Sequence, residues 1–176
     1  MFTKNWYKLY AVCAFTKSQS VNPFGAIDVN NQVKELYNHD VNSDMAMDIY
    51  TYVETILTTL TTSDIRGVAF GTGDTTPTPD DYKLAGSTIS SLSGSVAKNV
   101  SVDEDGTTLT AIYTLTNSGT EDVTVREIGL FNIGYYSKLK YSTSFLLDRT
   151  VLDAPVTIPA GGIGQVTYTI RLNYPT

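Results

Sequence analysis

Cysteine and histidine are nearly missing from this chain, with one of each in 176 residues. A lone Cys permits no internal disulfide and a lone His no multi-histidine cage, so disulfide frameworks and the common zinc arrangements are excluded. Charge is scarce too. Asp, Glu, Lys and Arg together make up 17% of the residues, against roughly 25% in ordinary soluble proteins, and Thr, Ser, Asn and Tyr take their places. The balance is acidic, eighteen Asp+Glu against twelve Lys+Arg. That argues against a broad nucleic-acid-binding face, which needs clustered Lys and Arg to displace counterions. No stretch approaches the roughly 20 apolar residues that span a bilayer. Lys8 and Tyr10 interrupt the apolar run near the start that a signal peptide would need. The expectation is a soluble chain with one real core, no cofactor, no metal, no membrane partner and no enzymatic activity.

What is present falls into zones of different texture. Residues 1–42 mix aromatics (Trp6, Tyr7, Tyr10, Phe15, Phe24, Tyr37) with Asn, and strands are expected from Trp6 to Phe15 and over Phe24–Val29. Met45, Ile49, Val53, Ile56, Leu57 and Leu60 then recur at helical spacing, which predicts one amphipathic helix over 43–62, started by Asn42 or Ser43. From Ser63 onward the period is two. Leu109, Ala111, Tyr113 and Leu115 line one side of Thr108–Thr116, and Val166, Tyr168, Ile170, Leu172 and Tyr174 line one side of Val166–Tyr174. Asn117-Ser-Gly-Thr120 reads as the turn of a hairpin joining Thr108–Thr116 to Val123–Ile128. Shorter strands are expected at Arg66–Phe70, at Ile89–Val102 with a break near Gly94, at Ser142–Leu147 and at Val156–Ile158. Many strands without interleaved helices mean a mainly β chain. The predicted fold is an antiparallel β-sandwich of jelly-roll or Ig-like type over 63–176, with an N-terminal arm and the helix over 1–62.

The constellations that might carry chemistry are thin. Gly71-Thr-Gly-Asp-Thr75 lacks the lysine of a phosphate loop and runs into Pro77 instead of a helix, so it reads as a turn after a strand. Asp103-Glu-Asp-Gly106 and the group Asp74, Asp80 and Asp81 lack the spacing of a calcium loop. The first reads as a solvated hairpin tip. His39-Asp40 has serines elsewhere to join it, but no nucleophile elbow. Cys13, in an apolar run, reads as a small buried hydrophobe. Tyr113, Tyr168 and Tyr174 belong to the apolar sides of their strands. Trp6, Tyr7, Tyr10, Phe15, Tyr135, Tyr136 and Tyr141 are the candidate partner contacts, with self-assembly ahead of sugar stacking.

Gly67-Val-Ala-Phe-Gly-Thr-Gly-Asp-Thr-Thr-Pro77, Asp80-Asp-Tyr-Lys-Leu84, Glu127-Ile-Gly-Leu-Phe131, Leu146-Leu-Asp-Arg-Thr-Val-Leu152, Pro155-Val-Thr-Ile-Pro159 and Val166-Thr-Tyr-Thr-Ile170, in that order, resemble blocks of tailed-bacteriophage structural proteins of tail, fibre, baseplate or head-decoration type. The resemblance implies a virion location, other virion proteins and copies of the same chain as partners, and no catalytic or cofactor residues. Within the blocks, Arg149 is placed to pair with Glu127 between strands, and Gly129 to mark a bulge or a close backbone approach. The competing class is a carbohydrate-binding or adhesin module, for which loss of glycan binding on Tyr135→Ala or Tyr141→Ala would speak.

Overall fold

The computed structural model describes residues 1–7, 24–36, 53–60, 66–136 and 141–174. Among the described residues nine strands follow one another: β1 (Phe24–Ile27), β2 (Val33–Leu36), β3 (Ile56–Leu57), β4 (Gly67–Gly71), β5 (Leu92–Val102), β6 (Gly106–Asn117), β7 (Val123–Tyr136), β8 (Tyr141–Ile158) and β9 (Ile163–Asn173). They form a four-stranded sheet ordered β3-β4-β7-β8, a three-stranded sheet ordered β5-β6-β9, and the separate β1-β2 hairpin. All pairs are antiparallel except the two-residue β3–β4 pair. The chain is therefore mainly β, with two principal sheets, as the period-two alternation implies.

One continuous core lies between the sheets. Val68, Phe70, Ile128, Leu130, Phe145 and Leu147 of the larger sheet meet Leu109, Ala111, Tyr113, Leu115, Val166, Tyr168 and Ile170 of the smaller. Phe70 and Tyr113 pack edge to face with centroids 5.2 Å apart. The larger sheet buries its other face as well, where Ala69, Phe131 and Leu146 pack with Leu84, Val29, Leu57 and Leu60.

Several expectations are corrected. The predicted helix does not form over 53–60, where Val53 and Glu54 sit in a turn and Ile56 and Leu57 are extended. Ile56 packs in the central core and Leu57 and Leu60 in the outer one, so a stripe with helical spacing is divided between two clusters. Residues 43–52 and 61–62 of that helix lie outside the described residues. The backbone at Thr55 passes very close to β4: Val68 N–H donates to the Thr55 carbonyl at 2.8 Å. Gly67, at φ +142°, makes the approach possible, because a Cβ at that position would collide with Thr55.

The expected hairpin between β6 and β7 does not exist. β6 pairs with β5 and β9, and β7 with β4 and β8, so Ser118–Asp122 crosses from one sheet to the other. Two strands facing each other across a sandwich have the same alternation as two strands paired side by side, and the pattern cannot separate the two cases. Asn117 secures the crossing. Its amide donates to the carbonyls of Glu121, Ile158 and Pro159, and its Oδ1 accepts the Gly119 N–H.

Strand β5 starts at Leu92 and runs unbroken through Gly94. The two strands expected over 142–158 are one long strand, β8, with residues 152–155 looped out opposite Arg126, where Pro155 is tolerated. Tyr174 is 48% exposed, outside the core. Gly129 is not itself bulged. It pairs with Ala69 and Arg149 between two register irregularities, and a side chain on it would press into Leu84 and Phe131.

The N-terminal residues dock on their own chain. Thr3 N–H donates to Leu147 O at 2.9 Å and its hydroxyl to Leu146 O at 2.6 Å, while Phe2 bridges Asp148 and Arg149 N–H donates to Met1 O. Residues 1–3 thus pair along the open side of β8. Residues 4–7 make a single helical turn, so the strand expected from Trp6 to Phe15 does not start at Trp6; residues 8–15 lie outside the described residues. The Asn5 amide both donates to Ile27 O (2.6 Å) and accepts Ile27 N–H (2.9 Å), which ties β1 to the same region.

Candidate functional site

Chemistry in a β-sandwich would be expected where buried charge gathers, and here it gathers under the loop between β4 and β5. Strand alternation turns Glu127 of β7 and Arg149 of β8 onto the outer face of the larger sheet, where neighbouring strands bring them together. Arg149 Nε meets Glu127 Oε2 at 2.7 Å, and both side chains are fully buried. Arg149 NH1 reaches Asp81 Oδ2 at 2.8 Å, and NH2 donates to the Thr75 carbonyl at 2.8 Å. Glu127 also accepts backbone N–H groups from Gly73 (2.9 Å) and Gly86 (2.7 Å) on Oε1 and from Ala85 (3.0 Å) on Oε2. Glycines at 73 and 86 let both backbone segments come this close: a Cβ on Gly73 would press into Glu127 and the Gly86 backbone.

Burial by itself would raise the Glu127 carboxyl, but the Arg149 guanidinium and the Gly86 and Ala85 N–H groups outweigh it and hold the pKa below the ordinary value. For Asp81 burial likewise works upward and is overcome by Thr78 and Arg149. A carboxylate offers about four acceptor positions, and those of Glu127 are all taken. The cluster is a lock that fastens the 72–86 loop over the outer core, and it leaves no acceptor on Glu127 to offer a substrate. An open depression of ≈ 260 Å³ adjoins it, lined by Thr75, Thr78, Asp81, Tyr82, Lys83 and Arg149.

A second polar group sits on the inner face of β8. Tyr168 OH donates to Asp148 Oδ2 at 2.6 Å, Thr150 donates to the same oxygen at 3.0 Å, and the Met1 ammonium lies 2.9 Å from Oδ1. Burial first, and the Asp148 charge second, push the Tyr168 pKa up, so its hydroxyl stays a donor. Tyr168→Phe is expected to cost about 1.5–3 kcal/mol, the worth of a hydrogen bond to a buried charge. The urea midpoint reads this directly, and an unchanged midpoint would show that Thr150 and Met1 satisfy Asp148 without it.

The third feature is the smaller sheet. Its outer face is built from Ser93, Ser95, Ala97, Asn99 and Ser101 of β5, Thr108, Thr110, Ile112, Thr114 and Thr116 of β6, and Ile163, Gln165, Thr167, Thr169 and Arg171 of β9, in register. Arg171 is the only charged residue among them, and it pairs with Asp103 at 2.9 Å. Asp103 also accepts the N–H groups of Asp105 and Gly106, so Asp103–Gly106 is a hairpin tip, as its sequence suggests.

The candidate contacts divide. Trp6 is buried at 9% and stacks on Phe2 at 4.7 Å in the chain's own core, which removes it as a partner contact. Tyr7 is 61% exposed. Tyr10 and Phe15, like Cys13, His39 and Asp40, lie outside the described residues. The backbones of Tyr135, Tyr136 and Tyr141 fall together where β7 and β8 meet, with Tyr135 opposite Ser142 and Tyr136 opposite Tyr141. Reasoning from the sequence passed over Asp148 and Tyr168, whose meeting depends on which strands face each other.

Among the described residues no group of three or more His, Cys, Asp or Glu could hold a metal ion, and no helix is long and apolar enough to cross a membrane. No protein-family model, curated protein or solved structure matches this chain.

Proposed function

We propose that this chain is a structural subunit of a tailed-bacteriophage virion, placed in the tail, baseplate, fibre, neck or head exterior, whose work is assembly with copies of itself and with other virion proteins. The observation that carries the reading is the destination of the sequence blocks that resemble such proteins. Gly67–Pro77, Asp80–Leu84, Glu127–Phe131 and Leu146–Leu152 converge on the saturated Arg149–Glu127–Asp81 lock, a device for holding a scaffold. The Ser/Thr face, with Arg171 its single charge, supports the same reading, because a covered face has little use for charge.

The docking of residues 1–7 on their own chain moves the site of assembly away from those residues and toward the sheets. Among the described residues, the division into four and three strands supports an Ig-like reading over an eight-stranded jelly roll. Particles purified from infected cells and probed with antibody to this chain are expected to carry it in fixed proportion to the other virion proteins. Its confinement to the unassembled fraction would overturn the reading.

A further inference from the structure

The two sheets treat their edges differently. In the larger sheet, one edge strand is the two-residue β3, and the open side of β8 is paired by residues 1–3. Short or covered edges are how β proteins avoid adding further strands. In the smaller sheet both edges are full-length: β5 and β9 have eleven residues each and, among the described residues, each pairs only with β6. Neither contains proline, and neither shows a register shift against β6. The single charge on β5, Lys98, pairs with Glu54, and the single charge on β9, Arg171, pairs with Asp103. Apart from these two paired charges, neither edge has, among the described residues, the proline, bulge, short length or covering strand that usually protects an edge.

The exposed apolar side chains of this sheet are matched between the two edges. Val100, Leu109 and Ile170 form one row across it, and Val102, Thr107 and Leu172 form the next row toward the hairpin tip. Leu109 and Ile170 belong to the core, so Val100, Val102 and Leu172 stand on the core-side face. Yet Val100 is 46% exposed, Val102 67% and Leu172 43%, and Tyr174 just beyond is 48% exposed. An apolar strip therefore reaches both edges at the same level on the same face. Because β5 and β9 are each antiparallel to β6, they run parallel to one another. A second copy laid beside the first in the same orientation sets its β5 parallel to the first copy's β9, with Val102 level with Leu172.

We propose that copies of this chain join head to tail through this sheet, β9 of one pairing in parallel with β5 of the next, so that the apolar strip becomes continuous. The join is heterologous: the two copies contribute different edges, and the joined pair keeps one free β5 and one free β9 to pass the contact on. Main-chain hydrogen bonds give the attraction, and the level of Val100, Val102 and Leu172 gives the register. The proposal rests on the assembly reading above and specifies its contact.

The test uses two variants of the full chain, one with β5 blocked (Val100→Asp with Val102→Asp) and one with β9 blocked (Leu172→Asp). Mass is read by light scattering across a wide concentration range. The parent is expected to form oligomers, and each variant alone to fall to the 19.2 kDa monomer. An equimolar mixture is expected to give a species of twice that mass, since one intact β9 and one intact β5 remain. That rescue also shows both variants to be folded. Should an Asp variant lose its far-UV spectrum, Val100→Lys and Leu172→Lys replace it. A parent that stays monomeric overturns the proposal, as do variants that assemble like the parent, or dimers lost only on blocking β5, which would mean a two-fold contact. Finding the chain in particles while the join fails leaves the assembly reading standing with another contact; absence from particles removes that reading on its own.

Discussion

Replacing Arg149 with Met is expected to destabilise the chain by about 3–5 kcal/mol, the usual cost of removing one partner of a buried ion pair. The mechanism is specific. Met fills much of the same space, so little of the loss comes from a cavity. What is lost is the cation beside Glu127, together with the donors to Asp81 Oδ2 and to the Thr75 carbonyl. Glu127 is then a fully buried carboxylate with only backbone N–H groups for company. For a chain of this length the loss lowers the thermal midpoint by roughly 10 °C, at about 2–4 °C per kcal/mol. Arg149→Lys rescues little, because an ammonium cannot present a planar fork to acceptors lying in three directions. In a double-mutant cycle, Glu127→Gln is expected to cost much less in the Arg149→Met background than alone. Additive effects would mean that the two residues do not act as a pair.

The same lock sets the acid limit. Glu127 and Asp81 have folded-state pKa values below their ordinary ones. Their contribution is therefore fully present above the ordinary carboxylate range, near pH 4, and is lost as pH falls through the lower folded values. Stability against urea is expected to fall steeply below about pH 4 in the parent and less steeply in Arg149→Met. Identical slopes would place the acid sensitivity elsewhere.

Tyr113→Ala is the second large loss, expected at about 3–5 kcal/mol, as for other large-to-small changes of a buried aromatic. Tyr113 is fully buried, edge-on to Phe70, and its hydroxyl donates to the Val53 carbonyl at 2.7 Å. The ring closes the core between the sheets, and the hydroxyl anchors the 53–60 segment to the smaller sheet. Tyr113→Phe separates the two roles. It keeps the ring, leaves the Val53 carbonyl without that donor, and is expected to cost about 1–3 kcal/mol. If Tyr113→Phe proves as damaging as Tyr113→Ala, the anchor matters more than the packing. If it is neutral, the anchor contributes nothing.

How far the sequence reveals this molecule depends on whether a feature is local. Alternation located β6 and β9 to within about three residues at either end, because a half-buried strand writes its period directly into the chain. The Arg149–Glu127 pair was legible for a similar reason: two opposite charges inside otherwise apolar strand blocks have few places to go except toward each other. Asp81, Thr75 and the three N–H donors from the 72–86 loop were not, since nothing local says over which face a loop will fold. The false β6–β7 hairpin and the helix over 53–60 fail alike. In each case the periodicity was real, but it records which side of the backbone is buried and not what lies on the other side. Val53, Ile56, Leu57 and Leu60 are all used, by two different cores.

The polar lock also orders events in time. Glu127 fastens Gly73, Ala85 and Gly86, which precede it by 54, 42 and 41 positions, and Thr3 waits for Leu146, 143 positions later. On a ribosome, Thr3 and the N–H groups of Gly73, Ala85 and Gly86 meet these partners only once β7 and β8 emerge. Folding dominated by such distant pairings is slow, on the scale of milliseconds to seconds. The hairpins β1–β2 and β5–β6 are local and can pair as they emerge, but β4 waits for β7, and the smaller sheet is complete only when the last strand, β9, closes against β6.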